Sequence, residues 1–299
     1  MIEKTRFESD KSILASRINN ELGLELSDIN PLNSDELGDN SEVYTAHTAD
    51  TEVVIKLLPE VLGFEMEQAA FKLFTEHGIP APKVLGVLLP DQSHKAVIVE
   101  TLIPGKPISR NKENTQLYAE AGVVLKKIHG IKVEGYGTFE ITEQGVRGTF
   151  SSWKANAEAF KLNFELLERK GLIDFSARTK LEHAHKITSN APLPHASFIH
   201  SDYSPQHVFS DGKQITGIID VATCYGGDPR QDIVNMQYFL NPKQREVFDA
   251  AYGPLASDQL IPYYAALAAA NKVAYRSDRG FTDRLAEGLS QLKNSLTEI

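Results

Sequence analysis

Four charged residues stand where a solvated surface would not put them, and their types suit the handling of phosphate. In Val53-Val54-Ile55-Lys56-Leu57-Leu58 both faces of a strand are apolar, so Lys56 points into a largely buried environment. A buried ammonium needs an anionic partner. The helical run Phe64–His77 offers one: Phe64, Phe71 and Phe74 mark its buried face, and Glu67 falls on the same stripe, whereas Glu65 and Glu76 lie off it. Such a pair can hold nucleotide phosphates; the plainer alternative is a snorkelling lysine and an unrelated glutamate. The other two residues are acids that follow strands. Phe198-Ile199-His200-Ser201-Asp202 ends a strand with a carboxylate in a loop, and Ile215-Thr216-Gly217-Ile218-Ile219-Asp220 ends another 18 residues later. Loops after strands are where scaffolds hold catalytic groups. Two carboxylates there suit phosphoryl transfer, one orienting the attacking hydroxyl and the other holding Mg2+. The plainer reading is that each acid caps a turn or a helix.

The elements that must position these residues fall into two parts. Glu42–His47 and Thr51–Leu58 read as a hairpin around Thr48-Ala49-Asp50. A helix over Phe64–His77 is stopped by Gly78-Ile79-Pro80, and Val84–Leu89 and Lys95–Thr101 form a second strand pair. Ile103-Pro104-Gly105-Lys106-Pro107 breaks the pattern. Beyond it Glu113–His129, Ser152–Lys170, Phe175–Thr188 and Asp228–Leu240 have helical spacing, with short strands only at Phe198–His200, His207–Ser210 and Ile215–Ile219. The pattern predicts an α+β fold with a β-rich domain over 1–104 and a mostly helical domain over 105–299. A hinge near Val99–Gly105 and a ligand cleft between two lobes follow from that plan.

Composition narrows the function classes. The 299 residues are 41% hydrophobic and 24% charged, the balance of a globular protein rather than a fibre or a disordered chain. No apolar run approaches the ~18–20 residues of a membrane-spanning helix. Met1–Arg6 is charged and no secretory h-region follows it. The single Cys224 rules out an internal disulfide and a CxxC metal knuckle. A cytoplasmic protein, monomeric or weakly dimeric and without a membrane partner, is expected. The net charge of −9 argues against a nucleic-acid partner. That charge is uneven: up to Pro104 there are 8 basic and 18 acidic residues, and from Gly105 onward 23 and 22.

Taken together, the spacings resemble one family. His200-x-Asp202 with His207 five residues on, then Ile219-Asp220, then Gly227-Asp228-Pro229-x-x-Asp232, is similar to the signature of the aminoglycoside phosphotransferase family of small-molecule kinases. That signature is HxDxxxxN, a strand ending in ID, and GDPxxD. Glu67 to Pro82 reads like its run "E…L…HGIPxP", and Leu102–Pro107 like its "lpG" entry to the second lobe. Gly135-Tyr136-Gly137 followed by Trp153 resembles the hygromycin kinase branch.

The resemblance implies a protein-kinase-like bilobal fold, Mg2+, and ATP or GTP as co-substrate. It makes Asp202 the group that orients and deprotonates the acceptor hydroxyl, Asp220 a metal ligand, and Lys56, with Glu67, the holder of the α- and β-phosphates. Backbone groups of Val99, Glu100, Thr101 and Leu102 would meet the purine, with Ile219 and Val43 as apolar walls. Two departures stand out. The glycine-rich loop Leu37–Val43 has one glycine, with Ser41 where the family has asparagine, and the metal-ligand asparagine is His207. Macrolide kinases of the same family also carry histidine there. The expected acceptor is an aminoglycoside-type or macrolide antibiotic, with antibiotic resistance as the role; a metabolite alcohol is the alternative. The family binds its acceptors mainly on the second lobe.

Other residues have milder readings. Asp228 caps the helix beginning at Pro229, Asp232 ties that helix to the His200 loop, His129 is a packed helix-end histidine, and Tyr263–Ala270 is helix core. A metal-dependent hydrolase built on His183, His185, His195, His200, Asp202 and His207 is a competing class. It is weakened because His183 and His185 sit two apart on a helix. A nucleotide-binding pseudokinase is the third.

Overall fold

The apolar alternation around Lys56 builds a sheet in the first part of the chain. The structure is a computed structural model that describes residues 2–32, 42–58, 62–90, 95–143 and 145–299. Its chain divides into two units, Met1–Gly105 with Thr216–Ala222, and Lys106–Ile215 with Thr223–Ile299. In the first unit, helix α1 (Ile2–Leu22) precedes β1 (Ser27–Pro31), β2 (Glu42–His47) and β3 (Glu52–Leu58). Helix α2 (Leu62–Glu76) then leads to β4 (Val84–Leu88) and β5 (Ala96–Thr101). The strands form one antiparallel sheet in the order β1-β2-β3-β5-β4.

Because side chains alternate along a strand, this sheet has two apolar faces. Val53, Ile55, Val97 and Val99 bury one face with Leu14 and Ile18 of α1. Phe64 of α2 packs with Ala96 and Ile98 on the other. Each such aliphatic side chain contributes roughly 1.5–3 kcal/mol when fully buried. Helix α1 is absent from the sequence-based expectation; among its described side chains the buried ones are Leu14 and Ile18, too few to mark an apolar stripe. The domain boundary also differs from a single cut at residue 104. Thr216–Ala222 returns to the first unit, where the Ile218 amide donates to the Pro80 carbonyl at 2.9 Å.

The second unit begins with β6 (Lys106–Pro107), α3 (Thr115–Gly130), β7 (Lys132–Val133), β8 (Tyr136–Thr142) and β9 (Gly145–Phe150). Helices α4 (Trp153–Ala159), α5 (Phe164–Arg169) and α6 (Phe175–Ser189) follow, then β10 (Ala196–Ile199), β11 (Val208–Ser210), β12 (Ile215–Ile218), which runs on into the returning segment of the first unit, and β13 (Tyr225–Gly227). The chain closes with α7 (Arg230–Gln237), α8 (Pro242–Tyr252), α9 (Ile261–Asp278) and α10 (Thr282–Thr297). A sheet of order β7-β10-β13-β8-β9 sits among the helices, and β6 pairs with β11. Leu181, Ala269, Ala270, Val273 and Leu292 form the core shared by α6, α9 and α10.

The short strands β6, β7 and β13, a hairpin and a split helix depart from the sequence-based expectation. The hairpin β8–β9 lies in a stretch with no expected strand. Its register shifts between Tyr136 and Phe139, and Gly137 sits at φ 82°, so the apolar alternation is interrupted. The single helix expected over Ser152–Lys170 is two. Asn163 accepts from the Leu166 amide and starts α5 as an N-cap, just as Ser152 starts α4 by accepting from Ala155. Among the described residues no helix is long and apolar enough to cross a membrane.

Candidate active site

Lys56 sits on β3 directly opposite Val43 of β2 and Ile98 of β5, which puts all three side chains on one face of the sheet. Helix α2 covers that face. Lys56 Nζ donates to Glu67 Oε1 at 2.7 Å, and Glu67 is only 3% exposed. The register adds a second acid. Glu100 lies two residues beyond Ile98 on β5, hence on the same face, and its carboxylate is 3.1 Å from Lys56 Nζ. One ammonium therefore holds two buried carboxylates. Burial by itself lowers the lysine pKa, but Glu67 and Glu100 together raise it above the ordinary value.

Burial pushes the Glu100 carboxyl up to about 7, against the opposing pull of Lys56. The consequence for stability has a definite sign. Between the ordinary value of 4.5 and about 7 the folded protein keeps a proton on Glu100 that the unfolded chain releases. Stability therefore falls as pH rises through that window. Glu100→Gln is expected to flatten this part of the profile, measured by urea unfolding from pH 4.5 to 8. An unchanged slope would remove Glu100 as its source.

Two of the backbone N–H groups expected at the purine have partners within the protein. The amides of Thr101 and Leu102 donate to the carbonyls of Lys83 and Glu52, both at 2.9 Å. Those two N–H groups are committed to backbone, as are the ladder positions of Val99 and Glu100. Glu100 enters through its side chain, on Lys56. Ser41 and most of the glycine-poor loop lie outside the described residues. Ile219 and Asp220 lie in the segment 216–222. A Cβ added at Gly217 would lie 2.3 Å from Ile103 Cδ1, so glycine is what lets this segment reach Ile103. Asp220 is exposed and has φ 64°, a left-handed conformation unusual for an L-residue.

In the second unit Asp202 sits on the loop between β10 and β11, and the loop is pinned from below by a buried carboxylate. Asp232 of α7 accepts from the His200 amide at 2.7 Å and from the Ser201 amide at 2.9 Å. His129 Nε2 donates to the same carboxylate at 3.1 Å, and the Tyr252 hydroxyl donates to His129 Nδ1 at 2.7 Å. These contacts hold Ser201 at φ 73° and turn Asp202 outward, with its side chain 48% exposed. His207, on the same loop, donates from Nδ1 to the Asp202 carbonyl at 2.8 Å. The same Nδ1 lies 3.4 Å from a carboxylate oxygen of Asp202. Asp228 is fully buried, accepting from the Arg230 amide, the Arg230 guanidinium and the Tyr264 hydroxyl.

Sequence reading did not single out two residues beside Asp202. Asn235 lies with its amide 3.4 Å from the carbonyls of both Ser201 and Tyr203, the neighbours of Asp202. Lys272 of α9 donates to Asn235 Oδ1 at 2.7 Å. The hydrolase constellation does not assemble: His183 packs edge-on against Tyr263, while His185 meets Glu158 at 3.3 Å.

Known proteins share the fold of this chain. The model of the phosphotransferase enzyme family matches residues 28–270. No curated protein matches by sequence. Among solved structures, a thermostable mutant of aminoglycoside phosphotransferase APH(4)-Ia, in ternary complex with AMP-PNP and hygromycin B, superposes with a TM-score of 0.76. It has 17% identity over 95% of this chain and 98% of that one. A putative fructosamine-3-kinase from Thermobifida fusca YX-ER1 gives 0.67 at 16% identity, covering 95% and 96%. The macrolide 2'-phosphotransferase MphH from Brachybacterium faecium gives 0.64 at 19%, covering 94% and 97%. With four-fifths of its length matched by one family model, the chain belongs to the phosphotransferase enzyme family and is a small-molecule phosphotransferase acting on a hydroxyl acceptor.

Proposed function

We propose that the chain passes the terminal phosphoryl group of ATP or GTP, bound as its Mg2+ complex, to a hydroxyl of a small molecule. The observation that carries this reading is Asp202: a half-exposed carboxylate on a loop whose backbone is fixed by the buried Asp232. A carboxylate held that way can accept the acceptor's proton as the hydroxyl attacks. Lys56, kept charged by Glu67 and Glu100, would hold the α- and β-phosphates, with Val43 and Ile219 as apolar walls for the base. The nucleotide is further supported by the AMP-PNP in the APH(4)-Ia complex.

The donor set suits a divalent cation. Asp220 offers an exposed carboxylate, and His207 an imidazole on the Asp202 loop. These two residues would hold Mg2+, which neutralises charge on the phosphates when bound. Mg2+ prefers oxygen ligands, so imidazole is a poorer ligand than an asparagine carbonyl. His207→Asn is therefore expected to stay active, and His207→Ala to lose activity about tenfold or more, in Mg2+-dependent kinetics of all three forms. Full activity in the alanine variant would leave His207 only its bond to the loop.

An aminoglycoside-type or macrolide acceptor, with antibiotic resistance as the role, is the reading suggested by the hygromycin B of one relative and the name of another. A metabolite alcohol is the second reading, and the ammonium of Lys272, joined to the Asp202 loop through Asn235, favours it, because it would repel a polycationic aminoglycoside. The deciding experiment is a nucleotide-consumption screen of aminoglycosides, macrolides and small alcohols with both ATP and GTP. Turnover with none of the three classes would overturn the kinase reading and leave the pseudokinase.

A further inference from the structure

Helix α9 runs Ile261-Pro-Tyr-Tyr-Ala-Ala-Leu-Ala-Ala-Ala-Asn-Lys272-Val-Ala-Tyr275, and Lys272 is the single charged residue in that stretch. A cation isolated in an apolar, half-buried helix segment needs an anion or a strong substitute. Among the described residues Lys272 forms no ion pair; it has Asn235 Oδ1 at 2.7 Å and the rings of Tyr238 and Phe239 at 4.8 and 5.0 Å. Burial lowers its pKa, with Asp202 pulling the other way and Arg276 adding to the lowering. Amide and ring faces keep an ammonium charged but do not neutralise it.

The location gives that charge a use. Asn235 touches the carbonyls on both sides of Asp202, so the ammonium stands one residue away from the loop that carries the proposed base. One helical turn on, Arg276 packs its guanidinium over the same Tyr238 ring at 5.9 Å. Arg276 is partly committed, donating to the Arg284 carbonyl at 2.7 Å and lying 3.9 Å from the exposed Glu287. The groups that face Lys272 are thus one carboxylate, Asp202, and one further cation.

We propose that Lys272 is a specificity-determining residue that takes a negatively charged group of the acceptor, a carboxylate or a phosphate ester, while Asp202 takes the proton of its hydroxyl. The proposal rests on the kinase reading for what Asp202 does, but not for the anion site itself. A structural role, in which Lys272 only braces Asn235, needs a hydrogen-bond donor and not a charge. Lys272→Gln keeps a donor and removes the charge, so it separates the two roles.

The test is isothermal titration of the full chain, first saturated with Mg-AMP-PNP so that the triphosphate position is filled. Inorganic phosphate and malonate are titrated in separate arms. Expected is binding of one anion per chain, weakened at least tenfold in Lys272→Gln, retained in Lys272→Arg, and falling with added salt. The stronger arm identifies the phosphate ester or the carboxylate as the recognised group. Wild type binding neither anion, or Lys272→Gln binding as tightly as wild type, would overturn the proposal. If Mg-AMP-PNP itself fails to bind, the kinase reading fails, and the same titrations without nucleotide still decide the anion site.

Discussion

Asp202→Ala should abolish phosphoryl transfer while the chain stays folded and binds nucleotide nearly as wild type. A positioned general base contributes about 10²–10⁴-fold to rate, equivalent to roughly 3–5 kcal/mol of transition-state stabilisation. The loop has anchors other than the Asp202 carboxylate, which lies 3.4 Å from His207 Nδ1. Its anchors are the His200 and Ser201 amides on Asp232, and the Tyr203 hydroxyl on the Ala121 carbonyl at 2.8 Å. The His207 imidazole donates to the Asp202 carbonyl, which alanine also provides. Asp202→Asn is the sharper control, since it keeps the size and polarity but cannot take a proton. Both variants should lose turnover together, with Mg-AMP-PNP affinity within about twofold of wild type by titration. Turnover within tenfold of wild type in the asparagine form would remove the carboxylate from proton transfer.

What the sequence discloses depends on whether a signal is local. Lys56 was legible because an isolated cation in a strand with two apolar faces is an anomaly within six residues. Glu67 was legible because the phenylalanine stripe of α2 points at it. Glu100 as a partner of Lys56 was not, because only the register of β3 against β5 places it two residues along from Ile98. Its acid reads as the polar end of an apolar strand. Hairpin β8–β9 was hidden by the register shift near Gly137, which breaks the period of two that marks a strand. The split of α4 from α5 was legible in principle, since Asn163 is a good N-cap, but the apolar spacing runs through it. Lys272 carried the same kind of signal as Lys56, one charge in an apolar run. It was passed over because the helix around it read as ordinary core. Asp232 is the converse case. Its place three residues after Pro229 suited a helix tied to the His200 loop, and the two amide bonds are that tie.

The two acids on Lys56 make removal of the lysine the most damaging change in the first unit. Lys56→Met leaves Glu67 and Glu100, 3% and 2% exposed, facing each other without a cation. Breaking a buried pair by deleting one partner costs about 3–5 kcal/mol, and here one deletion strands two carboxylates. Glu67→Gln or Glu100→Gln costs less, because the ammonium keeps the other acid. Lys56→Met combined with Glu67→Gln should therefore cost less than the two single changes summed. The deficit of Lys56→Met also has a pH signature. Burial already raises the pKa of Glu100, and without the ammonium nothing opposes it, so protonation of Glu100 relieves the strain in acid and ionisation restores it in base. Urea unfolding at pH 5 and pH 8 should find the variant closer to wild type at pH 5. A deficit equal at the two pH values would mean that lost packing of the lysine stem, rather than stranded charge, sets the cost. Strict additivity in the double-mutant cycle would mean that the 2.7 Å bond between Lys56 and Glu67 contributes nothing as a pair. On the proposed reading, in which Lys56 holds the phosphates, nucleotide affinity should fall in Lys56→Met at both pH values, whether or not the acids are neutral.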